Sequence, residues 1–176
     1  MPTLTAKHLI ELLTQFVDET SSSVDLLLVG ALALHAYGIS DRATRDVDAE
    51  IGGPLAPLLE YLTTHQVPAD LTQNFSGWSV VAMPPGYRDR ATSLINQPNL
   101  CVRVLAPIDF VIAKLRRGTD LDLDDALLVA RHYRLSADTI QSCARAALAA
   151  SPQDTALFLF QKTVDLFCMS LSSPAP

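Results

Sequence analysis

VDLLLVGALALHAYGISDRATRDVDAEIGG, residues 24–53, is the stretch from which the rest of the chain can be read. Residues 24–29 form a short apolar run between the serines at 21–23 and Gly30, the length of a buried strand. Residues 31–37 follow with helix formers, and Gly38 suits the position just past a helix end. Arg42, Thr44 and Arg45 crowd the next loop. Residues 46–51 then alternate acid with apolar, the two-residue period of a strand. This puts Asp46, Asp48 and Glu50 on one face and Val47, Ala49 and Ile51 on the other.

Carboxylates two residues apart on one strand face have Cα atoms roughly 6.6 Å from each other. Their oxygens can converge on one hard cation or bracket two metals. Burying them without a cation is costly, because each carboxylate disfavours ionisation of the other. A solvated strand face at a sheet edge is the simpler account of an isolated Asp-x-Asp, because the pattern is short. Gly30 adds a second feature. It stands where a strand ends and a helix begins, where unpaired backbone N–H groups and the helix dipole favour an anion. An anion site followed by a carboxylate pair points to a metal–triphosphate ligand.

Gly30-Ala31, Ala33-Leu34, Gly38, Arg42-Ala43-Thr44 and Asp46-Val47-Asp48 resemble the polymerase-β-like nucleotidyltransferase superfamily. The likeness is to its short bacterial branch, related to the abortive-infection type of toxin–antitoxin nucleotidyltransferases. That signature is a Gly-Gly or Gly-Ser turn, a short helix, then Asp-x-Asp on the next strand. The resemblance implies phosphate contact at Gly30 and Ala31, nucleotide binding at Arg42 and Thr44, and metal at Asp46 and Asp48. Ala31 departs from the pattern, because the usual second Gly or Ser is replaced and no hydroxyl is available there.

The chain has 176 residues, 49% of them hydrophobic, which suffices for a core. A formal charge of −6 argues against general binding to DNA or another nucleic acid backbone, which wants a basic face. The cysteines at 101, 143 and 168 fit neither a disulfide framework nor a zinc spacing, so reduced thiols are expected. Polar residues interrupt the N-terminal apolar ones, and no apolar run reaches the roughly 20 residues that span a bilayer. These features predict a soluble, cytoplasmic protein with no membrane association.

Residues 5–19 carry an amphipathic pattern, with Leu9, Leu12, Leu13, Phe16 and Val17 on one side. A helix is expected from 54 or 55 to about 65, with His65 favourably placed near its C-terminal end. Two short strands near 70–74 and 77–83 would make a hairpin across Phe75-Ser76. Met83-Pro84-Pro85-Gly86-Tyr87-Arg88-Asp89-Arg90 breaks the second strand and starts a short helix to about 95. This segment also resembles part of the short bacterial branch. Residues 100–105 read as a last strand, and Pro107 opens a helix with Ile108, Val111, Ile112 and Leu115 in one stripe. Another helix follows to about 134. Ser136 caps the next, and Ser151-Pro152 opens a final one to about 169, apolar on more than one side.

Ile108-Asp109-Phe110, Lys114-Leu115, Asp122 and Asp125 resemble the superfamily's second signature, in which a lysine and an aspartate pair close one side of the active site. Carboxylates in the first turn of a helix also simply favour its dipole. The resemblance implies a mixed α/β sheet, a minimal nucleotidyltransferase-like core with C-terminal helices. The expected division is a core at 1–135, a helical part at 136–170 and a frayed tail at 171–176. The implied chemistry moves a nucleoside monophosphate from a nucleoside triphosphate to an acceptor hydroxyl, with Lys114 on a phosphate or the acceptor. Carboxylates without a Cys/His set favour Mg2+ or Mn2+ as cofactor. RNA, protein and small molecules all remain open as acceptors.

The superfamily normally supplies a third carboxylate from a later strand. Residues 77–83 and 100–105 contain none, and the latter offers Arg103 instead. Glu50 lies a further 6.6 Å or so along its strand. Asp70 qualifies only if its strand runs beside residues 47–51. A degenerate domain that binds a nucleotide or a protein partner without turnover, in a toxin–antitoxin setting for instance, is the competing class. The apolar C-terminal helix suits a homo-oligomer or a partner protein.

Overall fold

The computed structural model describes residues 4–39 and 44–172, in two compact units. The first unit comprises residues 1–75 and 91–105, and the second residues 76–90 and 106–176.

The first unit holds α1 (Ala6–Thr20), β1 (Val24–Leu28), α2 (Leu32–Ala36), β2 (Val47–Gly52), α3 (Leu55–Thr64), β3 (Ala69–Thr72), β4 (Thr92–Gln97) and β5 (Leu100–Val104). The strands form one mixed sheet in the order β3-β2-β1-β5-β4. β1 runs antiparallel to β2 and parallel to β5, β2 is parallel to β3, and β4 is antiparallel to β5. Leu26 is level with both Ile51 and Val102, and Leu28 with Ala49 and Val104. Residues directly opposite in register share a sheet face, so one face is aliphatic and fully buried. Asp48, Glu50, Asp70 and Arg103 project from the other. The period of two read at 46–51 is thus realised, with Asp46 one residue ahead of β2.

α1 buries Leu9, Leu12, Leu13, Phe16 and Val17, the stripe expected from its spacing. The Thr5 hydroxyl caps its start by accepting from the His8 N–H at 3.1 Å. His65 lies at the end of α3, where its Nδ1 is 2.8 Å from the Tyr61 carbonyl, a local contact that accounts for it.

Three expectations fail. Residues 70–83 form no hairpin: β3 pairs with β2, and a 3-10 turn, Phe75–Trp78, follows. Beyond the end of β3, Glu50 Oε2 accepts the Phe75 N–H at 2.8 Å. Side chains, not a partner strand, then satisfy the next stretch. Arg116 donates to the carbonyls of Ser76 and Val81 at 2.7 Å each, and the Ser76 hydroxyl accepts the Met83 N–H at 2.9 Å. Second, no helix leads to residue 95: residues 85–89 are turns, and β4 (Thr92–Gln97) follows and turns through Pro98-Asn99 into β5. Third, the last helix starts later than Ser151-Pro152. The Ser151 hydroxyl donates to the Ala147 carbonyl, while Asp154 accepts the Ala156 N–H at 2.7 Å.

The second unit contains α4 (Pro107–Arg117), α5 (Asp120–His132), α6 (Ala137–Ala149) and α7 (Ala156–Ser172). α4 is its centre, with Phe110, Val111, Ile112 and Leu115 buried and neighbours in α5, α6 and α7. None of the three cysteines is in a disulfide, and burial pushes the Cys143 thiol up to about 11. Among the described residues no helix is long and apolar enough to cross a membrane.

Candidate functional site

Gly30 ends the run from β1, and its identity is set by Asp48. A Cβ built on Gly30 would lie 2.5 Å from Asp48 Cβ and 2.7 Å from Asp48 Cγ, inside any real contact. The ladder fixes this approach, because the Val29 N–H donates to the Asp48 carbonyl at 3.0 Å. Glycine is required by a neighbour's side chain, with no unusual backbone angle involved. The turn and the acidic strand are one piece of structure.

The turn itself is formed by Gly30 and Ala31, whose carbonyls accept from Ala33 and Leu34 at 3.0 Å. No described group accepts from the Gly30 or Ala31 N–H. α2 has only five residues, so its dipole is weak and any anion affinity rests on the turn amides. The Tyr37 hydroxyl donates to the Leu105 carbonyl at 2.6 Å and ties the end of α2 to the end of β5.

Asp46 is exposed and Asp48 half-buried. Thr44, 4% exposed, donates from its hydroxyl to Asp46 Oδ1 at 3.0 Å. The Thr44 backbone is itself held, since its carbonyl accepts the Leu4 N–H at 3.0 Å in an isolated β-bridge. Thr44 thus orients a carboxylate, a role its position in Arg-x-Thr did not reveal. Arg42 lies outside the described residues.

Asp70 satisfies the condition set for it. β3 runs beside β2 in parallel, with Asp70 level with Asp48, and its side chain is exposed on the same face. Glu50 is also on this face, buried and engaged by Phe75. Arg103 pairs with Asp25, with Nη2 2.9 Å from Oδ2 and 3.0 Å from Oδ1. Among the described residues no three His, Cys, Asp or Glu side chains converge as a closed metal cage. The donors present are carboxylate oxygens, which fits Mg2+, an ion usually held by one or two carboxylates plus substrate phosphates.

In the second unit, Lys114 sits between two buried acids. Its Nζ is 3.2 Å from Asp122 Oδ1 and 2.9 Å from Asp125 Oδ2. Asp122 Oδ2 also accepts from Thr119 at 2.6 Å and from Arg117 Nε at 3.0 Å. Burial pushes the Asp122 carboxyl up, but Thr119, Lys114 and Arg117 together outweigh it and hold it below the usual carboxylate range. Lys114, Asp122 and Asp125 are brought together, and they satisfy one another. Asp109, fully buried, is clamped by Arg90 with contacts of 2.9 and 2.7 Å. That pairing escaped the sequence reading, because an arginine 19 residues upstream gives no periodic signal.

Comparison with curated proteins gives no match, and comparison with solved structures gives none either. The model of one family, described as nucleotidyltransferase of unknown function (DUF6036), matches residues 5–159. Its span takes in the Gly30–Asp48 turn and strand as well as the Lys114–Asp125 cluster. The chain belongs to that nucleotidyltransferase family.

Proposed function

We propose that this protein transfers a nucleoside monophosphate from a nucleoside triphosphate to an acceptor hydroxyl, using Mg2+ or Mn2+ with Asp46 and Asp48. One observation carries the reading: the side chain of Asp48 lies across Gly30, which brings the turn and the acidic strand together. In this reading the Gly30 and Ala31 amides donate to phosphate oxygens. Thr44 holds one oxygen of Asp46, which keeps the other for a ligand. Asp70, in register with Asp48, takes the proton of the attacking hydroxyl. The acceptor oxygen bonds to the α-phosphorus, the bridge to the β-phosphorus breaks, and pyrophosphate leaves. When bound, the cation neutralises the triphosphate and the charge that grows on the leaving group.

A nucleotide- or protein-binding module without turnover, for example in a toxin–antitoxin pair, is the second reading. Lys114 favours it, because the cation assigned to a phosphate is already engaged by Asp122 and Asp125. Two measurements separate the readings. Titration with Mg2+ and a non-hydrolysable nucleoside triphosphate reports binding. Label transfer from radiolabelled nucleoside triphosphates, screened against RNA, protein and small hydroxyl compounds, reports turnover. An enzyme transfers label, and Asp48→Asn lowers transfer by about a hundredfold or more, as losing a preorganised charge contact does. If wild type transfers none while Asp48→Asn weakens binding, the second reading holds. Should Asp48→Asn change neither, the acids are a solvated strand face.

A further inference from the structure

α7 is apolar on two opposite sides. Phe160, Val164, Phe167 and Cys168 are buried within the second unit, as one amphipathic face requires. Phe158, Leu159, Leu166 and Met169 are 73, 64, 57 and 69% exposed. Successive helical residues advance about 100° around the axis, so these four fall within an arc of about 100°. Lys162, exposed, lies at the middle of this arc, and Asp165, also exposed, at its edge. An exposed apolar strip of this kind, interrupted only by Lys162, marks an interaction surface.

The charges within the strip say what covers it. It carries one cation and one anion about one helical turn apart, and is neutral in a chain of net charge −6. A second copy docked parallel would stack Lys162 on Lys162. Docked antiparallel about a two-fold axis near residue 164, each Lys162 meets Asp165 and Leu166 of the other copy. Leu159 of each then lies level with Met169 of the other. The strip is thus complementary to itself in one orientation, which is what an isologous interface requires. A groove of about 350 Å³ between α5 and α7, lined by Leu123, Leu127, Leu166 and Ser170 among others, flanks the strip. We infer that this protein forms a two-fold dimer through antiparallel α7 helices, with Lys162 of each copy paired to Asp165 of the other.

Sedimentation of the intact chain tests this at about 100 µM, enough to populate even a small, weak interface. The expected result is a particle of twice the chain mass, reduced to one chain by Leu166→Asp. Met169→Lys serves as an independent disruption, and circular dichroism confirms that both variants keep the wild-type fold. Lys162→Asp and Asp165→Lys each weaken the dimer by about tenfold, turning an ion pair into a like-charge contact. The double variant recovers the dimer. A monomeric wild type, a dimer that survives both Leu166→Asp and Met169→Lys, or a double variant no better than the single ones would overturn the proposal. The charge swap distinguishes a second copy from a different protein, since only a self-pairing strip is repaired by two changes in one chain.

Discussion

Asp46 and Asp70 stand exposed at the start of β2 and on β3, while Asp109, Asp122 and Asp125 are each no more than 2% exposed. The buried three have cations beside them: Arg90 for Asp109, and Lys114 with Arg117 for the other two. Among the described residues neither Asp46 nor Asp70 has an ion pair, and Asp46 is held by a neutral hydroxyl. A buried carboxylate must bring its counter-charge with it, whereas an exposed one can wait for a cation from solution. The two family-like blocks therefore do different work. One presents charge outward, and the other consumes its own.

The largest expected effect falls on the closed cluster. Lys114→Met leaves Asp122 and Asp125 buried without their ammonium and should cost about 3–5 kcal/mol in urea unfolding. Asp46→Asn should leave the unfolding midpoint unchanged or raise it. Wild-type stability for Lys114→Met would break the contrast between the two blocks.

A smaller effect sharpens the open side. Gly30→Ala drives a methyl group into Asp48 and should cost about 1–3 kcal/mol, as overpacking does. Asp48→Gly in the same chain removes the obstructing Cβ, so the double variant should lose less than the sum of the two changes. Strict additivity would mean the two residues are not in contact.

The smallest effect is in pH. Asp122 in the folded protein titrates below its ordinary value of about 3.9. The stability it contributes is complete above that value and is lost as pH falls through the folded one. Melting temperature should therefore drop below about pH 4, and drop less steeply in Asp122→Asn. Equal slopes would remove Asp122 from the acid response.

Much of this arrangement is readable where neighbours in sequence are neighbours in space. The alternation from Asp46 to Ile51 announces β2 and assigns its faces, and the capping hydroxyl of Ser136 marks a helix start. Register between strands is different in kind. Asp70 meets Asp48 across 22 positions, and nothing local in Ala69–Thr72 says whether it pairs with β2 or folds back on itself. Residues 77–83 misled for a related reason. Their strand-like composition is genuine, but Arg116, in a helix 35 residues later than Val81, claims the backbone carbonyls. The Gly30–Asp48 contact shows the same limit at closer range. The sequence marks both residues, but that one excludes a side chain on the other depends on how the strands pair.

The order in which the strands are joined has a consequence for synthesis. β5 fills the place beside β1, yet it leaves the ribosome about 75 residues later, after the chain has left the first unit at residue 75 and returned at 91. At roughly 5–20 residues per second that interval lasts several seconds. Throughout it β1, the leucine-rich VDLLL, can pair with β2 on one side while its other edge has no partner. A nascent chain in this state offers a ready surface to holding chaperones, and equally to another unfinished copy on the same message.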